Sequence, residues 1–175
     1  MSIVEKIKNI DLKKALKELV IFFALLFIAT NVVSFFRAPK IENNALLTMN
    51  TTTIDGTHLD SLHVNHEKPL LIHFWATWCP TCKMENSTIN ALSKKFDVIT
   101  IAVNSGSDQE IKEFLHENNL DFKVINDAND SIAQKFQVSG FPTTFIYRKD
   151  GKLEFSEMGY SSYFTLYLKL LYAGR

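Results

Sequence analysis

Two cysteines, Cys79 and Cys82, follow closely on the apolar run Pro69-Leu70-Leu71-Ile72-His73-Phe74-Trp75-Ala76. A run of that length and character suits a strand in the middle of a sheet, covered on both faces. The next residues, Thr77-Trp78-Cys79-Pro80, turn the chain into a helix. Cys79 falls at its N-cap and Pro80 at the first helical position, where a missing N–H costs nothing. The helix is predicted to continue towards Phe96. A buried strand feeding directly into a helix commits the chain to an α/β architecture.

The remaining pattern agrees. Val98-Ile99-Thr100-Ile101-Ala102-Val103 reads as a second buried strand, and Asp108 opens a helix with Ile111, Phe114 and Leu115 on one face. A short strand around Phe122–Ile125 precedes a helix bearing Ile132, Ala133 and Phe136. Thr143–Tyr147 and Lys152–Phe155 flank Asp150-Gly151, a hairpin signal. Ser161-Ser162 caps a last helix predicted to turn Tyr163, Leu166, Tyr167, Leu170 and Leu171 inward. Ahead of all this, Leu46–Met49 and the region around Asp55-Gly56 read as short strands with a turn. Strand and helix alternate, then an antiparallel hairpin and a helix follow, so the expected fold is a mixed sheet sandwiched by helices.

From Leu19 to Phe36 run 18 consecutive uncharged residues. As a helix they reach roughly 27 Å, close to the ~30 Å hydrocarbon thickness of a bilayer. A buried helix of a soluble core would carry some polar face. Lys6, Lys8, Lys13, Lys14 and Lys17 precede the run and Arg37 and Lys40 follow it, which orients the N-terminus to the cytoplasm and the rest to the far side. A cleaved signal peptide needs a shorter apolar region and a small-x-small site, and Arg37-Ala38-Pro39-Lys40 is a poor one. The expected division is a cytoplasmic segment over 1–18, a transmembrane anchor over 19–36, a tether over 37–45 and a folded domain over 46–175. Ile3, Ile7, Ile10 and Leu16 form an apolar stripe among lysines, as in a stretch lying on the inner membrane face.

Charges balance, with 19 of each sign, so no global field recruits nucleic acid or an acidic partner. With only two cysteines, a closed four-cysteine zinc site in one chain is excluded, and so is a disulfide-stapled scaffold. Redox chemistry or capture of a soft metal remains. His58, His63 and His66 are the available helpers for a metal, though their spacing is not diagnostic.

The cysteine geometry favours redox chemistry. Free N–H groups of Thr81 and Cys82 are predicted to point at the Cys79 sulfur, and with the helix dipole they favour its thiolate, the form that attacks a disulfide. Cys82, one turn along, can reach back to close the ring. Cys79 is therefore the candidate nucleophile and Cys82 the resolving thiol. Lys83 adds positive charge nearby or is a solvated helix lysine.

Phe74-Trp75-Ala76-Thr77-Trp78-Cys79-Pro80-Thr81-Cys82 resembles the active-site signature of the thioredoxin superfamily, and Val138-Ser139-Gly140-Phe141-Pro142-Thr143-Thr144-Phe145 resembles its second signature. Within the superfamily the chain is similar to the anchored TlpA, ResA and DsbE type. Its Cys-Pro-x-Cys form leans towards the suppressor-of-copper-sensitivity D (ScsD) group. The resemblance implies a thioredoxin-like domain and protein-disulfide oxidoreductase activity with no organic or metal cofactor. It also implies protein substrates bearing cysteines or disulfides, and a redox partner protein that recycles the pair. The expected location is the bacterial inner membrane, with lipid contact through 19–36 and the domain on the periplasmic side. Pro142 would be cis against the cysteine pair, the Phe141 backbone would pair with an extended substrate segment, and Trp78 would shield the disulfide and help dock substrate. Glu85 stands where the ResA-like branch carries a glutamate that handles protons near the resolving thiol; a solvated helix glutamate is the alternative.

Two departures stand out. His73 occupies the strand position of thioredoxin's buried acid, either as a hydrogen-bonded structural residue or as a neutral proton acceptor. Asn86-Ser87-Thr88 stands where the branch often has a proline, which predicts a straighter helix. The rival function is a Cu(I)-binding module built on two soft thiolates, against which stands the lack of a Met cluster near the cysteines. For a peroxide-reducing enzyme the sequence offers no dedicated features.

Overall fold

The computed structural model describes residues 12–37, 50–60 and 67–175, with the side chains of 12, 27–37, 50 and 60 outside that description. The chain divides after Phe36 into two units. Leu46–Met49, Ile3, Ile7, Ile10, His63, His66 and most of the tether lie outside the described residues.

Among the described residues a helix, α1, runs over Leu12–Arg37, all but its last residue in the first unit. Leu16, Leu19, Val20, Ile21, Phe22, Phe23, Leu25 and Leu26 are all exposed, so over 19–26 the apolar surface goes round every side of the helix. Among the described residues no helix is long and apolar enough to cross a membrane. Of the predicted anchor, only Leu19 to Leu26 have described side chains.

In the second unit β1 (Asn50–Thr52) and β2 (His58–Asp60) form a small hairpin over the expected Asp55-Gly56 turn. Gly56 sits there at φ +88°, where a side chain is strained. The main sheet contains β3 (Leu70–Trp75), β4 (Asp97–Val103), β5 (Lys123–Asp127), β6 (Thr143–Tyr147) and β7 (Leu153–Met158) in the order β5-β4-β3-β6-β7. β3, β4 and β5 are parallel, and β6 and β7 join antiparallel. The helices are α2 (Pro80–Ser93), α3 (Asp108–Glu117), α4 (Ser131–Lys135) and α5 (Tyr163–Ala173). This is the expected thioredoxin-like mixed sheet flanked by helices.

The steps β3-α2-β4 and β4-α3-β5 move the same way across the sheet, so right-handed crossovers put α2 and α3 on one face. Ile89 and Leu92 of α2, Ile111 of α3, and Leu166 and Leu170 of α5 accordingly pack in one cluster with Leu71 and Trp75. On the other face Ala133 and Phe136 pack with Leu70, Ile72, Phe74 and Phe145. The period of two along β3 thus splits its side chains between two cores, and His73 points to the α2 face with Leu71 and Trp75.

Four boundaries or faces differ from expectation. α2 ends at Ser93, short of Phe96, because the Lys95 and Phe96 N–H groups both turn back to the Leu92 carbonyl. β5 extends to Asp127, whose carboxylate accepts from the Ile132 and Ala133 N–H groups at 3.0 and 2.8 Å and so caps α4. β7 continues past Phe155 to Met158. Leu171 is exposed; the inward stripe of α5 is Leu166, Leu170 and Ala173, with Tyr163 and Tyr167 half-buried.

Candidate active site

The site forms where β3 gives way to α2. Trp75 is locked at the end of β3 by its Nε1–H bond to Thr100 Oγ1, 3.1 Å, and by ring contacts with Phe114 and Phe122. The Cys79 N–H donates to the Ala76 carbonyl, closing a tight turn, and Cys79 is the extended N-cap of α2 with Pro80 behind it. The Cys82 N–H donates to Cys79 Sγ at 3.1 Å. Of the two N–H groups expected to reach that sulfur, this is the one that does. Cys79 and Cys82 are joined as a disulfide, their Cα atoms 5.3 Å apart.

Both cysteines are buried, and the little exposure the pair has belongs to Cys79, at 5% against 0% for Cys82.

Around them the loop after β4 holds the turn. The Thr77 N–H donates to Ser105 Oγ, 3.1 Å, and Trp78 Nε1–H donates to the Asn104 carbonyl, 3.0 Å. Trp78 remains 59% exposed, and its ring meets the half-buried Phe141 edge to face at 5.8 Å. The Phe141–Pro142 bond is cis, Pro142 is buried, and the Pro142 carbonyl accepts from the Gly159 N–H at 2.8 Å. Lys83 is exposed and lies 5.8 Å over the Phe114 ring.

Glu85 is wholly buried, one turn beyond Cys82 on α2, so the solvated alternative is excluded. Its Oε1 accepts from the Ser161 N–H at 3.3 Å, while Oε2 is buried without a partner. Burial first, and the Glu157 carboxylate in addition, push its pKa from 4.5 up to about 8 against the lowering effect of the Ser161 bond. His73 is also wholly buried; its Nδ1 meets Thr144 Oγ1 at 2.9 Å and its Nε2 has no partner. Burial alone drives its pKa from 6.5 down to about 3, so it is neutral. Both are polar groups on the α2 side of the sheet, behind the disulfide.

The sequence reading missed Glu157 and Lys169, which form an ion pair at this layer. A signal was there: Glu157 stands two positions after the inward Phe155 on a strand and so faces the same way. Nothing comparable marks Asn104 or Ser105. His58 Nδ1 lies 3.2 Å from Thr52 Oγ1, and among the described residues no group of three or more His, Cys, Asp or Glu is arranged to hold a metal ion.

Comparison with known proteins follows the same line. A thioredoxin-like protein of Haemophilus influenzae is 30% identical over 93% of this chain and 96% of its own length. The sporulation thiol-disulfide oxidoreductase A of Bacillus subtilis is 28% identical, over 61% of this chain and 68% of its own. The crystal structure of a secreted Mycobacterium tuberculosis disulfide oxidoreductase homologous to E. coli DsbE superposes with a TM-score of 0.61 at 25% identity, covering 75% of this chain and 99% of that one. A thioredoxin fold with a disulfide-bonded CxxC pair capping its first core helix defines a thiol-disulfide oxidoreductase. The chain belongs to the AhpC/TSA family, whose model matches residues 37–156.

Proposed function

We infer that this chain is a membrane-anchored, extracytoplasmic enzyme that exchanges disulfides with other proteins. The observation that carries this reading is the asymmetry of the pair. Cys79 Sγ sits at the start of α2 and accepts the Cys82 N–H, and Cys79 keeps the 5% exposure that the wholly buried Cys82 lacks. The helix terminus and that N–H stabilise negative charge on Cys79, as a leaving group and as an attacking thiolate. The Cys79 thiolate attacks a substrate disulfide, and Cys82 then attacks Cys79 Sγ in the mixed disulfide and releases the substrate thiol.

Glu85 is the base that takes the Cys82 proton in that second step. Trp78 and Phe141 offer an aromatic docking surface beside the sulfur. Pro142 sets the course of the Phe141 backbone so that an extended substrate segment can pair with it. A separate redox protein recycles the pair.

The anchor reading rests on α1. A stretch apolar on every side, as over 19–26, is stabilised by leaving water, and lipid is the solvent that accepts it. In this reading 1–18 lie in the cytoplasm, 19–36 cross the inner membrane, 37–45 tether and 46–175 work on the periplasmic side. The Cys-Pro-x-Cys form leans towards the suppressor-of-copper-sensitivity D group within the anchored branch.

The test is trapping in membranes with Cys82→Ala, which stalls the reaction at the mixed disulfide. Protein adducts that disappear on reduction and are absent in Cys79→Ser are the expected result. Copper retained by the wild type with no trapped protein would instead make the chain a Cu(I)-binding module.

A further inference from the structure

Behind the disulfide, one level of the sheet is polar. His73 is in register with Thr100 on one side and Thr144 on the other, and Thr144 is in register with Glu157 on the edge strand β7. Directly opposed residues share a face, so all four point to the side that carries α2 and α5. Glu85 comes down on this row from α2 and reaches the β7–α5 connection, where it accepts from Ser161. From α5, Lys169 pairs with Glu157 Oε2. Three atoms here, His73 Nε2, Glu85 Oε2 and Glu157 Oε1, are buried without a partner.

Of the charged groups, Glu157 on β7 acts on Glu85 directly, and Lys169 on α5 reaches it through its pair with Glu157. The same sheet face carries the neutral His73 on β3 and the hydroxyl of Thr144 on β6, and α2 itself carries Cys82. Glu157 and Lys169 are therefore the groups here that carry charge at neutral pH. Lys169 is 27% exposed and Glu157 13%, so the pair links the buried carboxyl to the solvent edge.

We propose that the Glu157–Lys169 pair is a positioning element of the redox site: it sets how readily Glu85 takes up and returns the proton of Cys82. This rests on the disulfide-exchange reading above. In the step concerned, the ionised fraction of Glu85, small at neutral pH and growing as pH rises towards 8, takes the proton of Cys82–SH. The Cys82 sulfur pair then forms the bond to Cys79 Sγ, and the bond from Cys79 to the substrate sulfur breaks with its electrons leaving on the substrate thiolate. The enzyme pair is oxidised and the substrate disulfide reduced. A negative neighbour makes Glu85 hold a proton more tightly, and a cation beside that neighbour loosens it.

The experiment uses the full-length reduced protein in detergent with 5,5′-dithiobis(2-nitrobenzoate) as the disulfide. Attack by Cys79 releases one thionitrobenzoate, and resolution by Cys82 releases the second. The pH midpoint of the second phase reports the Cys82–Glu85 proton transfer. Glu157→Gln is expected to move that midpoint down and Lys169→Met to move it up, each by up to about one pH unit. Neither moves it in a Glu85→Gln background. A merely structural pair would not shift the midpoint in opposite directions. Unmoved midpoints in both variants, with Glu85→Gln still altering the profile, overturn this proposal alone. A wild type that releases a single thionitrobenzoate overturns the exchange reading beneath it.

Discussion

Replacing Glu85 by Gln keeps the size of the side chain and an oxygen for the Ser161 N–H, and removes the ionisation. In the folded protein Glu85 holds its proton until about pH 8, whereas in the unfolded chain it ionises near 4.5. Between those values the unfolded state binds fewer protons, so wild-type stability is full below about pH 4.5 and is lost as pH rises towards 8. At about 1.36 kcal/mol per unit the displacement sets a ceiling of roughly 5 kcal/mol. Coupling to Glu157 and local relaxation reduce it, and even half would be well outside the error of a denaturation curve. The assay is urea unfolding of oxidised wild type and Glu85→Gln at about pH 5 and about pH 8. The variant should be close to wild type at the lower pH and more stable by ~2 kcal/mol or more at the higher. A stability difference that does not change with pH would refute the claim that Glu85 stores a proton behind the disulfide.

Two further outcomes follow from the same structure. His73 has the opposite sign: its folded pKa is depressed to about 3 from 6.5, so wild-type stability is full above about pH 6.5 and lost as pH falls towards 3. His73→Asn should blunt that acid loss, gaining on wild type by up to roughly 3 kcal/mol between about pH 7.5 and pH 4 in the same unfolding assay. Ser107→Ala should cost about 1 kcal/mol, because the Ser107 hydroxyl accepts from the Glu110 N–H and Glu110 answers to the Ser107 N–H, the reciprocal cap of α3; thermal melting measures it.

Most of the fold could be read because its signals are local. Leu70 to Trp75 declare a buried strand, Pro80 a helix start, and Asp150-Gly151 a turn, each without reference to distant residues. Leu171 misled because it was chosen for hydrophobicity, whereas the inward stripe of α5 is fixed by the period through Leu166 and Leu170 and leaves Leu171 about 100° round the helix. The place of Cys79 at the helix N-cap was legible for the same local reason, whereas Trp78 and Phe141 were singled out by the resemblance and their ring contact was not foreseen. Glu85 was not, since its side chain is solvated or buried according to what β7 and α5 lay over α2. The strand period could have put Glu157 on the face of Phe155, but its place in the row with Thr144 and His73 depends on register across the sheet, and its pairing with Lys169 on how α5 packs.

The account turns on a Cys79 sulfur that is unusually willing to carry negative charge. The direct measurement is the rate of iodoacetamide alkylation of the reduced protein against pH, with Cys79→Ser identifying the reacting thiol. The account predicts a midpoint for Cys79 clearly below the ~8.5 of an ordinary thiol, within the roughly 3.5–7.5 range of activated cysteines. A midpoint at the ordinary value, or a thiol that does not react at all, would contradict it.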